Sequence, residues 1–280
     1  MRIIIGIDIG GTTTKIVGYS DGSLISPILV KATDPVASVY GAFGRFLNDN
    51  GLTLANVEKI MVTGVGSSYL TEPLLGVPTA KADEFLAIGM GGLFLSGLER
   101  ALVVSMGTGT AFVMADHDNA VHLGGTGIGG GTLLGLSSRM LNIRNFDDII
   151  KMAKGGSLDH IDLTIGDISR DGVTNLLPDT TASNFGKMSD LATKSDVAMG
   201  IINLVFQTIG MMAVFTTRTE HVKDVVLTGN LANVPQAKDV FAKLSSLFEV
   251  NFIIPENAEF ATAVGAAAIC ACNGQAQEIG

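Results

Sequence analysis

Near its N-terminus the chain places a carboxylate, two glycines, three threonines and a lysine directly after an apolar run. The stretch reads GIDIGGTTTK, from Gly6 to Lys15, and follows the residues RIII. A carboxylate such as Asp8 is costly to bury at the end of an apolar strand unless a cation or hydrogen-bond donors meet it. The residue types and their spacing indicate a hairpin that holds a phosphate, with Asp8 facing a bound magnesium ion. An ordinary glycine-rich β-turn also explains this stretch when it is taken alone.

The individual groups of this hairpin suit phosphate binding. Glycines let the chain turn sharply and let backbone N–H groups approach a ligand closely. The threonines add hydroxyls, and Lys15 adds a positive charge, although a solvated strand residue is an equally good interpretation of this lysine. The residues predicted to form this first phosphate cradle are Gly10, Gly11, Thr12, Thr13 and Lys15.

Composition bounds the class of protein. Of 280 residues, 47% are hydrophobic and 16% are charged, which is typical of a well-packed globular chain. Lys and Arg number 18 against 27 Asp and Glu, and the net charge of −9 argues against nucleic acid and anionic membranes as partners. Nucleotides are not excluded, because backbone amides and a metal ion can bind phosphate. Cys270 and Cys272 have neither metal nor redox spacing, and no apolar run has the length of a leader or a membrane span, so we expect a cytoplasmic protein.

Strand-like runs alternate with helical patterns, and one strand–turn–strand unit occurs twice. RIIIGID and KIVGYS flank the first glycine turn, and RALVVSM and TAFVMAD flank a second turn, GTG, further along the chain. The repeat suggests duplicated halves with one phosphate hairpin each. The alternation predicts an α/β protein of two lobes whose loops converge on a cleft, and we place the lobes at residues 1–97 and 98–280. A long helix around residues 201–215 is apolar nearly all round, which predicts a place in the core or at an interface between two copies.

Several motifs in a fixed order make the chain resemble the type II (eukaryote-like) pantothenate kinases, within the actin-like superfamily of sugar kinases, chaperones and actin. They are GIDIGGTTTKIV, ADEFLAIGMGGLF, VVSMGTGT, GGTGIGGGTLLGL, ASNFG and VVLTGN, and AEFATAVGAAAI extends the match. The glycine hairpin is shared by the whole superfamily, whereas DEF before a glycine-rich helix, GGTGIGGGT and ASNFG are far more specific. The resemblance implies two ribonuclease-H-like lobes with a nucleotide cleft between them, usually paired as a homodimer.

The resemblance also implies a reaction, in which ATP and Mg²⁺ phosphorylate pantothenate to 4′-phosphopantothenate for coenzyme A synthesis. Asp8 is then the carboxylate that faces the metal. Glu84 is then the general base that accepts the proton of the pantothenate hydroxyl. Taken without the resemblance, Asp83 and Glu84 are interpreted first as residues that cap a helix and complement its dipole.

The remaining site residues follow from the same motifs. The resemblance implies that Gly107, Thr108 and Gly109 form the second phosphate cradle. The turn at Gly229 and Asn230 resembles the family's adenosine side. The glycines that open the next helix also belong to the implied nucleotide site, and they are Gly129, Gly130 and Gly131. The residues assigned to the acceptor substrate are His122, Gly124, Gly125 and Thr126.

His122 departs from the family pattern, which usually has an arginine at this position in contact with pantothenate or the transferring phosphate. An imidazole carries a charge only when protonated and lacks the guanidinium fork. Either His122 serves as a weaker donor, or another cation such as Arg139 reaches the site, or the acceptor is not pantothenate. The other functions left open are a sugar or N-acetylhexosamine kinase, an ATPase that activates a partner enzyme, and a non-catalytic nucleotide sensor.

Overall fold

A computed structural model describes the chain except for residues 1, 12, 21, 32–33, 118, 171–175, 272–276 and 279–280. The strands in chain order are β1 (Ile3–Ile9), β2 (Thr13–Ser20), β3 (Ser23–Lys31), β4 (Val57–Thr63), β5 (Thr79–Lys81), β6 (Arg100–Met106), β7 (Thr110–Asp116), β8 (Ala120–Thr126), β9 (Leu163–Thr164), β10 (Thr181–Ser183), β11 (Asp224–Thr228), β12 (Asn251–Ile253) and β13 (Gln277–Glu278). The helices are α1 (Pro35–Asp49), α2 (Glu84–Ser96), α3 (Gly130–Leu141), α4 (Phe146–Ala153), α5 (Ile165–Ile168), α6 (Lys194–Glu220), α7 (Pro235–Phe248) and α8 (Ala261–Ala271).

The two large sheets share one topology. The first has the order β3-β2-β1-β4-β5, and the second has the order β8-β7-β6-β11-β12. In each sheet the first three strands of this order are antiparallel to their neighbours. The last two strands run parallel to the third, which is β1 in the first sheet and β6 in the second. We call the first sheet with α1 the first lobe, and the second sheet with α3, α4, α6 and α7 the second lobe. The prediction of an α/β protein with two ribonuclease-H-like lobes is confirmed.

Strand β1 shows how the sequence pattern positions the site. Its alternate isoleucines pack against α1, where Val39, Phe43 and Phe46 complete the core of the first lobe. The residues between them, Gly6 and Asp8, lie on the opposite face of the sheet, because successive side chains of a strand alternate. The carboxylate at the end of this strand is therefore directed away from the core of the lobe.

Helix α6 is the centre of the second lobe. Among the described residues it is the one helix long and apolar enough to cross a membrane, judged by length and composition, but 67% of its apolar window is buried within the structure. Its buried side chains, including Ile201, Phe206 and Ile209, pack with those of the sheet and of α7. The predicted long core helix is confirmed.

Helices α2 and α8 cross between the two sheets, and each packs on the sheet of the other lobe. Helix α8 follows the last strand of the second lobe but lies on β1, β2 and β4, whereas α2 follows β5 but lies on β6, β7 and β8. At their crossing a Cβ atom on Gly91 would overlap the carbonyl oxygen of Ala261, and one on Gly265 would overlap that of Ala87. The two helices therefore meet backbone to backbone.

The sheets add a feature that the predicted division at residues 97 and 98 did not anticipate. The C-terminal strand β13 pairs antiparallel with β5 and so joins the sheet of the first lobe. The exchange of α2 and α8 likewise ties each half of the chain to the other sheet. The division itself stays a prediction.

We expect Gly91→Ala to destabilise the fold by about 1–3 kcal/mol, because the added methyl group would force the crossing helices apart. The matched control is Gly41→Ala, in α1, where a Cβ atom has no neighbour within 4 Å. This control should be neutral or stabilising by about 0.5–1 kcal/mol, since alanine favours a helix over glycine. Chemical unfolding measures both, and equal midpoints for Gly91→Ala and the unsubstituted chain would contradict the close crossing.

Candidate active site in the cleft between the lobes

The first glycine hairpin connects β1 to β2. The N–H of Gly10 donates to the carbonyl of Thr13 at 2.9 Å, which closes the turn. A Cβ atom built on Gly11 would have no heavy atom within 4 Å, so the tip of the turn is open to a ligand. Thr12, which the sequence assigned to this cradle, lies outside the described residues.

Asp8 and Lys15 face each other across the β1–β2 ladder. The Lys15 Nζ lies 3.7 Å from the Asp8 Oδ2, and the two side chains are only 8% and 14% exposed. Burial raises the pKa of the Asp8 carboxyl, and the neighbouring Lys15 opposes that rise. The interpretation of Lys15 as a solvated strand residue is therefore wrong, because its side chain is buried against the carboxylate.

The second hairpin connects β6 to β7 and is closed from within the protein. The N–H of Gly107 donates to the carbonyl of Gly109. The first turn of α3 docks on the same loop, since the N–H groups of Gly130 and Gly131 donate to the carbonyls of Gly107 and Thr108, each at 2.9 Å. The N–H groups of Gly130 and Gly131 are thus already hydrogen-bonded within the protein. These two glycines can contribute to a ligand site only by letting the ligand come close to their backbone.

Gly129 explains why α3 can dock so closely. A Cβ atom on this residue would lie 2.6 Å from the carbonyl oxygen of Thr108 and 2.8 Å from the Cα of Gly109. A side chain at position 129 would therefore push the helix off the hairpin. Gly129 shapes the second cradle by packing.

A cavity of about 750 Å³ lies between the two hairpins and takes residues from both lobes. The predicted site residues on its wall are Thr13, Gly107, Thr108, Gly130, Gly131 and Asn230. Sequence reasoning missed all of the other lining residues, which are Leu29, Lys31, Leu134, Phe146, Asp147, Ile150, Lys151, Leu231, Asn233, Val234, Pro235 and Glu259. The i, i+4 pair Phe146 and Ile150 on α4 was the available signal for the apolar wall.

Asn230 follows Gly229 in the turn after β11. Gly229 has a φ of 85°, and a Cβ atom there would lie 2.5 Å from the carbonyl oxygen of Met106, so the turn needs glycine. The side-chain oxygen of Asn230 is buried and has no hydrogen-bond partner among the described residues. This acceptor on the cavity wall, together with the apolar side chains beside it, fits a ligand that has both a flat base and hydroxyl or amine donors.

Glu84 begins helix α2. Asp83 caps the helix by accepting a hydrogen bond from the N–H of Leu86 at 2.9 Å, so its predicted capping role is confirmed. Partial burial raises the pKa of the Glu84 carboxyl, and the negative charges of Asp8 and Asp83 raise it further. The fold thus places Glu84 close enough to Asp8 for the charge of Asp8 to raise the pKa of Glu84. A raised pKa makes Glu84 better suited to accept a proton near neutral pH.

His122 lies on β8 and stacks on Phe85, the residue that follows Glu84. The ring centroids are 3.8 Å apart and the planes differ by 9°. A register shift in the β7–β8 ladder pairs Val113 with His122 and Phe112 with Gly124. The stack places the imidazole next to the start of α2, and this contact could not be inferred from spacing along the chain.

The other predicted acceptor residues belong to the same outer strand. Gly125 and Thr126 pair with Ala111 and Thr110 in the β7–β8 ladder. Arg139, the alternative cation, lies in the last turn of α3, at the end of that helix away from the second hairpin. His122 is therefore the basic residue that the fold brings next to Phe85.

A magnesium ion fits Asp8 but would have few other protein ligands. The described residues contain no group of three or more His, Cys, Asp or Glu side chains that could hold a metal. A buried carboxylate with a raised pKa gains from a nearby cation. Mg²⁺ commonly binds through one or two carboxylates, phosphate oxygens and several waters, so Asp8 alone suits an ion that arrives with a nucleotide.

Comparison with known proteins indicates the family of the chain. The family model described as Fumble matches residues 98–251. The Type II pantothenate kinase of Bacillus cereus (strain G9842) is 27% identical over 276 residues, which cover 95% of this chain and 98% of that protein.

Solved structures show the same two-lobe fold. Component A of the Acidaminococcus fermentans (R)-2-hydroxyglutaryl-CoA dehydratase superposes with a TM-score of 0.68 at 18% identity, covering 95% of this chain and 96% of that one. A ROK family glucokinase from Streptomyces griseus, in complex with glucose and AMPPNP, gives 0.61 at 15% identity, covering 95% and 98%. Because the family model matches more than half of its length, the chain belongs to the Fumble family, the family of the type II pantothenate kinases.

Proposed function

We propose that the chain uses ATP to phosphorylate pantothenate to 4′-phosphopantothenate, the first step of coenzyme A synthesis. Phosphoryl transfer needs a cradle for the phosphates, a metal ion and a group that positions the attacking hydroxyl. The observation that carries the proposal is that a cavity between the lobes is lined by Thr13, beside the first glycine turn, and by Gly107 and Thr108 of the second. Beside the first turn and outside this lining, Asp8 pairs with Lys15, and the charge of Asp8 acts on Glu84. Near-full-length relatives named Type II pantothenate kinase support pantothenate as the acceptor.

The nucleotide is proposed to lie in the cavity between the hairpins. Its base would pack on the apolar wall that includes Phe146 and Ile150, and its polar atoms would reach the free side-chain oxygen of Asn230. Its phosphates would then meet the open tips at Gly11 and Gly107, where the protein leaves room for backbone approach. ATP is supported further by the neighbour of the same fold that was solved with AMPPNP.

Asp8 would hold the Mg²⁺ ion directly or through water. When bound, the ion would supply positive charge that offsets the negative charge developing on the phosphate. Lys15 keeps a compensating positive charge beside the buried Asp8 carboxylate. Glu84 would accept the proton of the substrate hydroxyl, for which its raised pKa suits it.

We also propose that the protein is a homodimer in the cytoplasm. One face of α6 carries half-buried or exposed apolar side chains at helical spacing, namely Leu204, Met211, Met212 and Phe215. Phe215 is 57% exposed, and together with these neighbours it forms an apolar patch of the kind that marks an interaction surface. Light scattering in solution tests the dimer, and a monomer at micromolar concentration would contradict it.

The decisive assay measures ATP-dependent phosphorylation of pantothenate, pantetheine, glucose and N-acetylglucosamine side by side. We expect pantothenate to be phosphorylated most efficiently. Phosphorylation of a sugar instead would favour the related sugar kinases, and ATP binding without phosphorylation of any acceptor would favour a sensor. The alternative function, an ATPase that activates a partner enzyme, is supported only by similarity of fold, at 18% identity.

We expect Glu84→Gln to lower kcat by roughly 10²- to 10⁴-fold, the range for loss of a general base. ATP binding should survive, because the proposed role of Glu84 is toward the acceptor. The ionised carboxylate has a raised pKa in the folded state, so its charge lowers stability as pH rises through that value. Thermal stability at pH 8 should therefore hold or rise in Glu84→Gln, and a lower melting temperature with normal kcat would make Glu84 a helix-end residue only.

Asp83→Asn tests the electrostatic part of this argument. Asparagine still caps a helix, but it removes one of the negative charges that raise the pKa of Glu84. A base works only when ionised, so activity is lost as pH falls through its pKa. Lowering that pKa should move the acid limb of the kcat/KM profile to lower pH, and an unmoved limb would remove Glu84 as the titrating base.

The two glycine turns should act on one triphosphate. A Cβ atom would meet nothing within 4 Å at Gly11, and at Gly107 its nearest neighbour would be 3.7 Å away, so a side chain can start at both positions without a clash at its Cβ. We expect Gly11→Val and Gly107→Val each to abolish ATP binding in calorimetry, because the side chain would occupy the space of a phosphate. Gly135→Val, on the outside of α3, is the control, and full ATP affinity in either hairpin variant would break the claim of a shared nucleotide.

His122 should act on the acceptor. We expect His122→Ala to raise KM for pantothenate about fivefold, the loss expected for one hydrogen bond of about 1 kcal/mol. His122→Arg should keep or raise kcat/KM, since a guanidinium offers a fixed charge. His122→Phe separates the two contributions, because it keeps the stack on Phe85 but not the donor, and it should resemble His122→Ala. Wild-type kinetics in His122→Ala would show that another group holds the acceptor.

A further inference from the structure

In each sheet the fourth strand in spatial order, β4 in the first lobe and β11 in the second, ends at a threonine that a glycine follows. Strand β4 ends at Thr63 and is followed by Gly64 with a φ of 84°, while β11 ends at Thr228 and is followed by Gly229 with a φ of 85°. Each glycine packs on the end of the first strand of its own lobe: a Cβ atom on Gly64 would lie 2.7 Å from the carbonyl oxygen of Ile9. The repeat therefore allows one threonine to be compared with the other.

The two threonines differ in their hydrogen bonds. Thr63 and Thr228 are equally buried, with 0% and 1% of their surface exposed. The Thr228 hydroxyl donates to the carbonyl of Val104 at 3.4 Å. The Thr63 hydroxyl is buried and has no hydrogen-bond partner among the described residues. Because buried hydroxyls in folded proteins are nearly always bonded, this one calls for a bonding group beyond the described residues.

The neighbour of Thr63 indicates what that group is. Thr63 is the register partner of Asp8 in the parallel β1–β4 ladder. Their side chains share the face on which Gly6 and Met61 meet α8. A Cβ atom on Gly64 would lie 2.6 Å from the Asp8 Oδ1, so the carboxylate turns toward the end of β4. In the second lobe the register partner of Thr228 is Ser105, so the unbonded threonine belongs to the lobe that has the carboxylate.

The Thr63 hydroxyl makes no direct hydrogen bond to Asp8 in this structure, and adjacent strands lie about 4.8 Å apart, a spacing that a bridging group can span. A water with hydrogen bonds of about 2.8 Å can join two oxygens about 5 Å apart. Mg²⁺ usually keeps several of its waters when it is bound with a nucleotide. One such water can therefore meet both side chains.

We infer that the Thr63 hydroxyl, together with Asp8, holds one water ligand of the metal ion that accompanies the nucleotide. Thr63 is thus a positioning residue, since it acts on the metal through water. The inference rests on the proposed ATP-dependent reaction but not on the identity of the acceptor.

The test measures Mn²⁺ binding to the full-length protein with ADP by electron paramagnetic resonance, with no acceptor added. Thr63→Val keeps the shape and removes the hydroxyl, and we expect it to raise the Mn²⁺ concentration for half-saturation about tenfold, as for other outer-sphere groups. Thr63→Ser should bind Mn²⁺ as the unsubstituted chain does. Thr228→Val is the matched control from the second lobe and should leave the Mn²⁺ requirement unchanged.

Stability gives a second readout. Without metal, Thr63→Val should melt at the same or a higher temperature, because it removes a buried hydroxyl that has no protein partner. Thr228→Val should melt lower, because it loses a hydrogen bond. If Thr63→Val does not fold, Thr63→Ala takes its place and should show the same Mn²⁺ defect.

Normal Mn²⁺ binding in Thr63→Val or Thr63→Ala would overturn the inference, and so would an equal loss in Thr63→Ser. Failure of the proposed function is read separately. Mn²⁺ and ADP binding by the unsubstituted chain without phosphorylation of pantothenate would remove the proposed acceptor and leave the Thr63 result intact.

Discussion

The crossing of α2 and α8 is the contact on which the rest of this structure depends. Each helix packs on the sheet of the opposite lobe, and they touch at Gly91 and Gly265, where a methyl group would overlap a carbonyl oxygen. Because protein interiors are close-packed, a contact that fixes two helices also limits the positions of the groups packed around them. Because α2 starts at Glu84, the same crossing that joins the lobes also sets where the candidate base meets the end of β1.

The second constraint is the burial of Asp8. Burial raises the pKa of this carboxyl and Lys15 offsets part of that effect, which leaves a carboxylate that still gains from a cation. Glu84 shares its field, so the charge at one position changes the basicity at the other. The pKa values of both carboxyl groups are thus shifted in the protein alone, as is common for titratable groups at functional sites.

The duplicated lobes have diverged in their chemistry while keeping one topology. Both end their first strand in a glycine turn and their fourth strand in Thr-Gly, yet only the first lobe places a carboxylate beside that threonine. The second lobe instead supplies the wall of the cavity through α3, α4 and the turn at Asn230. The halves are alike in backbone and differ in the side chains at these matching positions.

The sequence by itself determined the two glycine hairpins, the helix that begins at Glu84 and the long helix α6, whereas it left β3, β8 and α7 unpredicted. Apolar alternation in RIIIGID, glycine turns and the cap at Asp83 are local signals, and each corresponds to an element with nearly the expected bounds. The motifs also indicated the family, because they are specific strings in a fixed order. Tertiary structure alone decided which side chains meet: the stack of His122 on Phe85, the pair of Asp8 with Lys15, the unbonded Thr63 and the exchange of α2 and α8 between sheets. These contacts depend on strand register, burial and helix crossing, which arise between segments far apart in the chain and leave no periodic trace within either segment.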